Sequence, residues 1–563
     1  MAWRLGGPRA GTHLVLIALS AVLGVLVVLP LGSVVGSSIF ATDAHGVMHV
    51  TWQNFYRVAT QANYWRSLGD TILISAGSSA FATIIGVALA WTLVRTNVPG
   101  ARLLERLAIL PIFIPPFVGA FAWILLAAPR IGLANVGLRS LGILEPFNIY
   151  TRLGIVWVMG IYMAPYVLMI VASALRSMDP SLEEAGQVSG LNRWRVAMRI
   201  TLPVVTPAIL SGAVLTFVVA IGLFGTPVLL GWPRQILMLT SRIYLESQQV
   251  PPAYGVMAVL AIYLMVLSTL VVVLQQRLMR GRSFVTVTGK GFRTQPIRLR
   301  WSRFVLLAIG ILYLALTVVV PLLVIAAAAA STYAWSGRFT SENFVYLWSS
   351  HDVRQTLENS VIIAITAATV AAFLGLCISW LVCRTSIAGR RVIEYVALLP
   401  LSVPSIAFGI GVAALWLRFP WDIYDTIWLI VIGFVGRFTG YAVRTISGSL
   451  VQVHPELEES ARICGLGPVR ALCRITLPLV RPSIISSWIL LYSIFMTELS
   501  MVLMLYNADT RTFSILTFDI WYSGYFSRVA SLSLLQLFIG VIVMVIVNSL
   551  ATRMTPGESQ AAA

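Results

Sequence analysis

The sequence predicts an all-α integral membrane protein with about 12 transmembrane helices, arranged as two parallel six-helix repeats. Hydrophobic residues make up 58% of the 563 positions and charged residues only 11%, against roughly 25% charged in a soluble domain. Apolar runs of about 18 residues or more recur, and each can cross the hydrocarbon layer as a helix. The second half of the chain also repeats the pattern of the first.

Twelve apolar runs are candidate spans. In the first half they cover 14–35, 71–94, 103–128, 153–175, 204–230 and 255–274. In the second half they cover 304–330, 357–381, 392–416, 427–449, 483–505 and 529–551. The first run is longer than the apolar region of a signal peptide and has no clear small-residue cleavage site, so it is predicted to be an uncleaved span.

The two halves align at a nearly constant offset. Asn54 and Arg95 recur 289 positions later as Asn343 and Arg384. After the third span the offset falls to 275, which indicates 14 extra residues near 129–142. Because each half has six spans and begins on the same side, the repeat is predicted to be parallel, with a pseudo-twofold axis along the membrane normal.

Arginines collect on one side of the membrane if the spans alternate. They are Arg4, Arg9, Arg95, Arg102, Arg106, Arg193, Arg195, Arg199, Arg384, Arg390 and Arg391. The positive-inside rule therefore predicts that both termini are cytoplasmic. The same rule accounts for the net charge of +18 without a nucleic-acid partner.

A basic segment joins the halves. Residues 277–303 carry arginines and one lysine but no acid, so they could bind anionic lipid headgroups or simply tether the halves in the cytoplasm. The positive-inside rule favours the tether. The predicted organisation is a first repeat at 1–276, this linker at 277–303, and a second repeat at 304–563.

A polar loop at 179–207 interrupts the apolar runs of the first half. Asp179 is a suitable N-cap, and Pro180 follows at the first helical position. Glu183 and Glu184 fall near the helix start, where negative charge is favoured, and Gly190 is the expected left-handed C-cap. A second short helix is predicted from about residue 193, ending before Pro203.

The same loop recurs at 454–482 in the second half, 275 residues later. One face of the first loop helix holds Leu182, Ala185, Gly186 and Ser189, and the repeat holds Leu457, Ser460, Ala461 and Cys464. Small side chains would let a partner surface approach the helix closely, while the alternative is a turn packed on its own protein. Duplication with the spacing intact favours docking.

Two charged residues are predicted to lie within spans. Arg437 falls in the tenth span, opposite Tyr162 of the repeat, and Glu498 falls in the eleventh, opposite Leu223. Such charges are costly in lipid and should face the protein interior. We expect Glu498 at the interface between halves, within reach of Arg437 or of a hydrated cavity; a pathway role and a structural ion pair both remain open.

Catalytic and metal-binding signals are absent from the sequence. Gly289-Lys290 lacks the upstream glycine of a phosphate-binding loop, so any ATP hydrolysis must come from another chain. The five histidines and four cysteines show no metal-ligand or nucleophile spacing. No metal, cofactor or enzymatic activity is expected, and a membrane-embedded enzyme is disfavoured.

The duplicated loop resembles the cytoplasmic "EAA" loop of permease subunits in bacterial ABC importers. Its pattern is E-A-(A/G)-x-x-x-G-(nine residues)-I-x-L-P. The first copy carries it at Glu184, Ala185, Gly186, Gly190, Leu202 and Pro203, and the second at Glu459, Ser460, Ala461, Gly465, Leu477 and Pro478. Gly186 and Ser460 stand in place of alanine and keep the small-residue character. The resemblance covers nearly the whole chain. It implies the type I ABC importer permease fold, with both six-span halves fused in one chain.

The resemblance also implies function and partners. Each loop would form a coupling helix seated on one of two ABC ATPase subunits, and an extracytoplasmic substrate-binding protein would deliver the cargo to this permease in the bacterial inner membrane. Fused length and the run Phe224-Gly225-Thr226-Pro227 look most like iron(III)-type permeases; thiamine, polyamine and aminoethylphosphonate permeases are similar alternatives. An ion-coupled secondary transporter would explain the parallel repeats but not the two capped loops.

Overall fold

The computed structural model describes residues 10–42, 48–142, 147–179, 181–279, 297, 299–333, 337–418, 422–454 and 456–553. Within these residues the chain is almost entirely helical, as the composition predicts. The strands Phe40–Thr42 and Met48–Val50 form one small antiparallel pair after the first span.

Ten helices in the described residues are long and apolar enough to cross a membrane. In the first half they are His13–Ile39, Ala62–Arg95, Arg152–Ser177, Trp194–Gly222 and Tyr254–Leu278. In the second half they are Ser302–Ala329, His351–Arg384, Ile427–Gln452, Leu472–Thr497 and Phe526–Val543. They are spans one, two, four, five and six of each half, and they confirm ten of the twelve predicted spans.

The third span of each half is a bent pair of helices, where the sequence predicted a straight helix at 103–128 and 392–416. Ala101–Phe113 and Pro116–Ala127 meet at 96°, and Arg390–Ser402 and Ser405–Trp416 meet at 112°. Proline lacks an N–H and disfavours helical geometry in the residue before it, and the bends fall at Pro115-Pro116 and at Pro404.

The bent pair of the first half still crosses to the far side. Glu105, near the start of the pair, pairs with Arg176 at the end of the fourth span. The last residue of the pair, Ala127, accepts a hydrogen bond from Ile149 N at 3.3 Å, beside the start of the fourth span, so the two ends of the pair lie at opposite ends of that span. Counting each pair as one span gives twelve, as predicted.

The fifth span of each half differs from its prediction at both ends. A separate helix was expected to end before Pro203, but the chain is helical without a break from Trp194 to Gly222. The π turn Ala197–Thr201 ends with Leu202 N donating to Ala197 O, so the hydrogen-bond register shifts directly before Pro203. The missing proline N–H therefore falls where the ladder is already altered.

The second half repeats this device, with the π turn Leu472–Thr476 directly before Leu477-Pro478. At their far ends the two helices stop at Gly222 and Thr497, short of the predicted 230 and 505. Each is followed by an extended residue and a short helix, Gly225–Gly231 or the 3-10 turn Val502–Met504.

Shorter helices connect the spans. They are Gln53–Thr60, Leu133–Ser140, Ser181–Val188, Arg193–Val196, Leu239–Ser247, Glu342–Ser349, Glu456–Ile463, Pro468–Ala471 and Phe513–Tyr522, with a 3-10 turn at Trp232–Arg234. Leu133–Ser140 occupies the 14-residue insertion that the change of offset predicted. Its Asn135 is fully buried and donates to Ala128 O at 2.9 Å and Phe147 O at 2.8 Å, which fixes the insertion to the core.

The first span of each half packs against the other half. Leu19 and Leu23 share an apolar cluster with Ile378 and Leu381, and Ser33 donates to Gly411 O at 2.5 Å. The first span of the second half likewise packs against the first half, where Tyr313 donates to Ile161 O at 3.0 Å. The halves are thus interlocked, and the core centres on the two fourth spans, Arg152–Ser177 and Ile427–Gln452, which are the most buried of the ten.

Candidate functional site

The loop after the fourth span of each half is the candidate functional site. In the first copy, Ser181–Val188 is capped by Asp179, whose Oδ1 accepts from Ser181 N at 2.9 Å. Gly190 takes φ +82°, and Leu191 N donates back to Gly186 O at 3.1 Å. The predicted N-cap and left-handed C-cap are confirmed; Pro180 lies outside the described residues.

The second copy has the same backbone. Glu456–Ile463 is followed by Gly465 at φ +86°, and Leu466 N donates to Ala461 O at 3.0 Å. A Cβ would meet no steric obstacle at Gly190 or Gly465, since nothing lies within 4 Å of one built at either position. Only the positive φ requires glycine there.

Each loop exposes two large apolar side chains at matching positions. Leu182 and Leu457 are 45% and 46% exposed, while Val188 and Ile463 are 90% and 86% exposed. Because they recur at matching positions of two polar loops, these side chains are candidates for contact with a partner. Val188 and Ile463 were not singled out from the sequence, although the common offset of 275 pairs them.

The predicted docking face is wrong at one position in each loop. Gly186 and Ala461 are buried and face their own chain, because a Cβ on Gly186 would lie 2.4 Å from Ile200 Cδ1. Their small size lets the loop helix pack on the helix that follows it. Glu184, Ala185 and Ser460 are exposed or half-exposed and remain available to a partner.

One acid anchors each loop helix to the spans; it is buried in the second loop and half-buried in the first. In the second half, Arg384 Nε lies 3.1 Å from Glu458 Oε1, and Thr476 donates to the same oxygen at 2.5 Å. Arg384 Nη2 also donates to Leu450 O at 3.0 Å and to Val453 O at 2.7 Å. We call Arg384, Glu458 and Thr476 the second node.

The first node consists of the equivalent residues Arg95, Glu183 and Thr201. Thr201 donates to Glu183 Oε1 at 2.6 Å, but Arg95 Nη1 lies 3.6 Å from Glu183 Oε2. Arg95 is fully buried, and its Nε and Nη2 have no hydrogen-bond partner. A buried guanidinium with unsatisfied donors is costly, so the first node is looser than the second.

Each node joins three elements: the loop helix, the end of the second span and the start of the fifth span. A displacement of the loop must therefore move both spans. Glu184 and Glu459 were the acids predicted to act in coupling, whereas the anchoring acids are Glu183 and Glu458. The sequence did contain a signal for these anchors, because the arginines of the two nodes recur at the offset of 289 and the threonines at the offset of 275.

The linker between the halves ends beside the first node. Ile297 N donates to Arg95 O at 2.8 Å, and Asn97 N donates to Ile297 O at 3.3 Å. Asn97 Oδ1 also accepts from Leu299 N at 2.7 Å. Residues 280–296 and 298, which carry most of the basic charge, lie outside the described residues.

Arg437 lies deep in the core of the second half. It is 7% exposed, its Cζ lies 5.0 Å from the ring centre of Phe438, and its Nε and Nη1 have no hydrogen-bond partner. Glu498 is half-buried at the end of the eleventh span and accepts from Met501 N at 3.0 Å. No ion pair within 4.0 Å joins the two among the described residues, so the direct pairing is not found.

Aromatic rings from both halves close the centre on the face opposite the loops. The ring centres of Phe117 and Phe518 lie 6.3 Å apart, those of Phe224 and Phe518 5.8 Å, and those of Tyr244 and Phe518 5.7 Å. Trp521 meets Phe117 at 6.4 Å. These five rings therefore form one packed cluster contributed by both halves, which we call the aromatic seal.

The four cysteines are free thiols, and within the described ranges no group of three His, Cys, Asp or Glu side chains is placed to hold a metal ion.

Comparison with known proteins identifies the repeat. The family model "Binding-protein-dependent transport system inner membrane component" matches residues 82–284 and again residues 375–556, which together make up more than half of the chain. Each match contains one of the two loops.

Three relatives illustrate the similarity. A protein named as a ferric transport system permease in Haemophilus influenzae is 26% identical over 82% of this chain and 74% of its own length. The ferric transport system permease of Actinobacillus pleuropneumoniae is 26% identical over 81% of this chain and 66% of its own length. The sulfate transport system permease of Escherichia coli is 27% identical and matches 38% of this chain and 76% of its own length.

Proposed function

Because this chain belongs to the family of binding-protein-dependent transport system inner membrane components, we propose that it imports a small cargo delivered by a binding protein, driven by two separate ATPase subunits. The chain is a multi-pass inner-membrane ABC permease of the type I importer fold, with both family repeats fused. The binding partner, the ATPases and the cargo are proposals, as is the placement of both termini and both loops in the cytoplasm.

The observation that carries the proposal is the matched pair of loops. Both loops expose a leucine and a β-branched residue, and the exposed fractions of the matching side chains are nearly equal. Both loops are also fixed to two spans by a node. Burying Val188 or Ile463 in a partner cleft would contribute about 1.5–3 kcal/mol each. Two such surfaces suit two copies of one ATPase.

Roles for the loop residues follow from this geometry. Glu184, Ala185, Glu459 and Ser460 would contact the ATPase, while Gly186 and Ala461 would seat the loop helix on its own chain. Gly190 and Gly465 would hold the turn, and Leu202-Pro203 and Leu477-Pro478 would begin the α-helical part of the fifth span after the π turn.

Transport would follow from movement of the two nodes. ATP-driven closure of the ATPases would draw the loops together, and each node would carry that motion into its second and fifth spans. The fifth spans lead to the aromatic seal, so their movement would open it on the far face. Alternation between the two arrangements moves cargo past a site that is open to one side at a time.

The cargo is proposed to be iron(III). Relatives that match most of the chain are named as ferric permeases, whereas sulfate and molybdenum permeases match about two fifths of it. Arg437 and Glu498 are the candidate pathway residues. Thiamine, polyamine and aminoethylphosphonate are alternative cargoes, and membrane lipid is an expected surrounding partner.

The proposal can be tested with the chain purified from its native membrane. Proteoliposomes that contain it with its co-purified ATPase and binding protein should take up radiolabelled iron(III) citrate only when ATP is present. Sulfate, molybdate, thiamine and putrescine are the competing cargoes. Uptake that needs an ion gradient and no ATP would instead establish a secondary transporter.

A matched variant tests the coupling role of the loops. Gly190→Val with Gly465→Val costs on the order of 1 kcal/mol or more of strain at each turn without a steric clash. The double variant should insert in the membrane, bind ATPase poorly and transport little. Full ATPase binding and full transport in the variant would exclude the docking role.

A further inference from the structure

A cavity of about 400 Å³ opens on the face opposite the loops, where elements of both halves meet. Phe40 and Ser37 at the end of the first span, Asn54 and Arg57 of Gln53–Thr60, and Tyr254 at the start of the sixth span contribute one wall. Arg418, just after the bent third span of the second half, contributes the other.

The lining is rich in hydrogen-bond donors. It includes two guanidinium groups and the hydroxyls of Ser37 and Tyr254, and no carboxylate is found among its described residues. Neither Arg57 nor Arg418 has an ion pair or a side-chain hydrogen bond within the part of the chain that the structure describes. Two cations without acids in a concave site raise the local positive potential and attract anions.

The arginine at position 57 has no counterpart in the second half. Asn343 corresponds to Asn54, so Tyr346 stands where Arg57 would be, at the offset of 289. The nearby cation there is Arg528, and it is partnered: its Cζ lies 4.6 Å from the Tyr346 ring and 5.0 Å from the Tyr525 ring. The open, unpaired arginines are therefore not a by-product of the duplication.

We propose that this cavity binds an anionic group, and that the cargo reaches the permease as an oxyanion or an anionic chelate instead of as a bare cation. The identity of the anion as cargo rests on the proposed function, but the binding itself requires no ATPase contact. Guanidinium groups pair carboxylate and oxyanion oxygens with matched geometry, whereas they would repel uncomplexed iron(III).

A single thiol placed in the cavity wall reports both the electrostatic potential of the cavity and whether an anion occupies it. Leu417 lines the cavity and is 45% exposed, so Leu417→Cys is made in the full chain after its four cysteines are changed to serine. The protein in nanodiscs is treated with a sulfonate-bearing and with a trimethylammonium-bearing methanethiosulfonate. Combining Leu417→Cys with Arg57→Gln and Arg418→Gln gives the test variant, and Arg66→Gln, outside the cavity lining, gives the control.

The ratio of the sulfonate reaction rate to the ammonium reaction rate should be about tenfold higher with both arginines than in the test variant, because of the Coulomb energy of two nearby unit charges. Arg66→Gln should leave that ratio unchanged. If the test variant kept the same rate ratio as the chain with both arginines, the proposal would be overturned.

Occupancy is measured with ferric citrate, molybdate and inorganic phosphate, against sodium chloride at equal ionic strength to account for screening. At least one of these anions should slow the sulfonate reaction, and the slowing should vanish in the test variant. Slowing by none of the three, or equal slowing in the test variant, would overturn the proposal. Because no ATP is used, anion binding could be found even if the ATPase did not couple to the permease. Likewise, a cavity that binds no anion would leave the proposed ATPase coupling untouched.

Discussion

The two nodes share their residue types but not their bonding. In the second node, Arg384 makes three hydrogen bonds, one to Glu458 and two to backbone carbonyls of 450 and 453. In the first node, Arg95 reaches Glu183 only at 3.6 Å and leaves two nitrogens without a partner. A duplicated motif therefore does not guarantee duplicated energetics.

The difference suggests a division of roles. The second node holds its loop firmly on the spans, while the first has free donors and the linker residue Ile297 hydrogen-bonded beside it. Hydrogen-bond donors without a partner can bond to new acceptors. We therefore expect the first node to change its hydrogen bonds more readily than the second when the loops move. Each of the following experiments compares the two nodes or the two loops, either by matched variants or by a readout at both.

The largest difference is expected from removing the arginines. Arg384→Met leaves the Glu458 carboxylate buried without its cation and two carbonyls without a donor, which should cost about 3–5 kcal/mol. Arg95→Met should cost about 1 kcal/mol or less, since it removes unsatisfied donors along with a weak contact. Apparent melting temperatures in nanodiscs at one scan rate measure both; equal losses would show that the nodes are equivalent.

An intermediate and equal effect is expected at the turns. Gly190→Val and Gly465→Val each place a β-branched residue at positive φ, which costs about 1–2 kcal/mol. Both sites are sterically open, so strain is the only cost and the two melting shifts should match. Unequal shifts would mean that the loops differ in packing as well as in their nodes. Gly137→Val, in a connecting helix with open space around its Cβ, controls for the added side chain.

A smaller effect, confined to the first node, is expected from the linker. Ile297→Pro removes the N–H that donates to Arg95 O and should cost about 1 kcal/mol. Amide hydrogen exchange should rise at residues 95–97 and stay unchanged at 384–386. Ile297→Ala keeps the N–H and controls for the side chain; increased exchange at both sites would show that the linker acts on the whole fold.

The span count, the parallel repeat and both loop turns were predictable from the sequence. Apolar run length fixes the spans, and the glycine that ends each loop helix marks a left-handed residue. The bends at Pro115-Pro116 and Pro404 were missed because run length ignores how proline breaks the hydrogen-bond ladder. The continuous helix through Pro203 was missed because a π turn has no sequence signature of comparable strength.

Within the site, sequence reasoning identified the loops but not their anchors. Glu183 and Glu184 are adjacent acids of equal propensity, and only the positions of Arg95 and Thr201, about 90 residues before and about 20 after, decide which one is buried. Such contacts depend on helix packing. The sequence could not decide for the same reason whether Arg437 and Glu498 form a direct ion pair, since residue spacing does not give the rotation of two helices about their axes.

The most direct test of the central claim is the number of ATPase subunits held by each loop. The chain purified from its native membrane should carry two ATPase copies by native mass spectrometry. Val188→Arg and Ile463→Arg should each reduce the count to one, and the double variant to none, while Trp348→Arg on the opposite face should retain two. A chain that carries no ATPase, or a double variant that still carries two, would contradict the claim that these loops couple the permease to ATP.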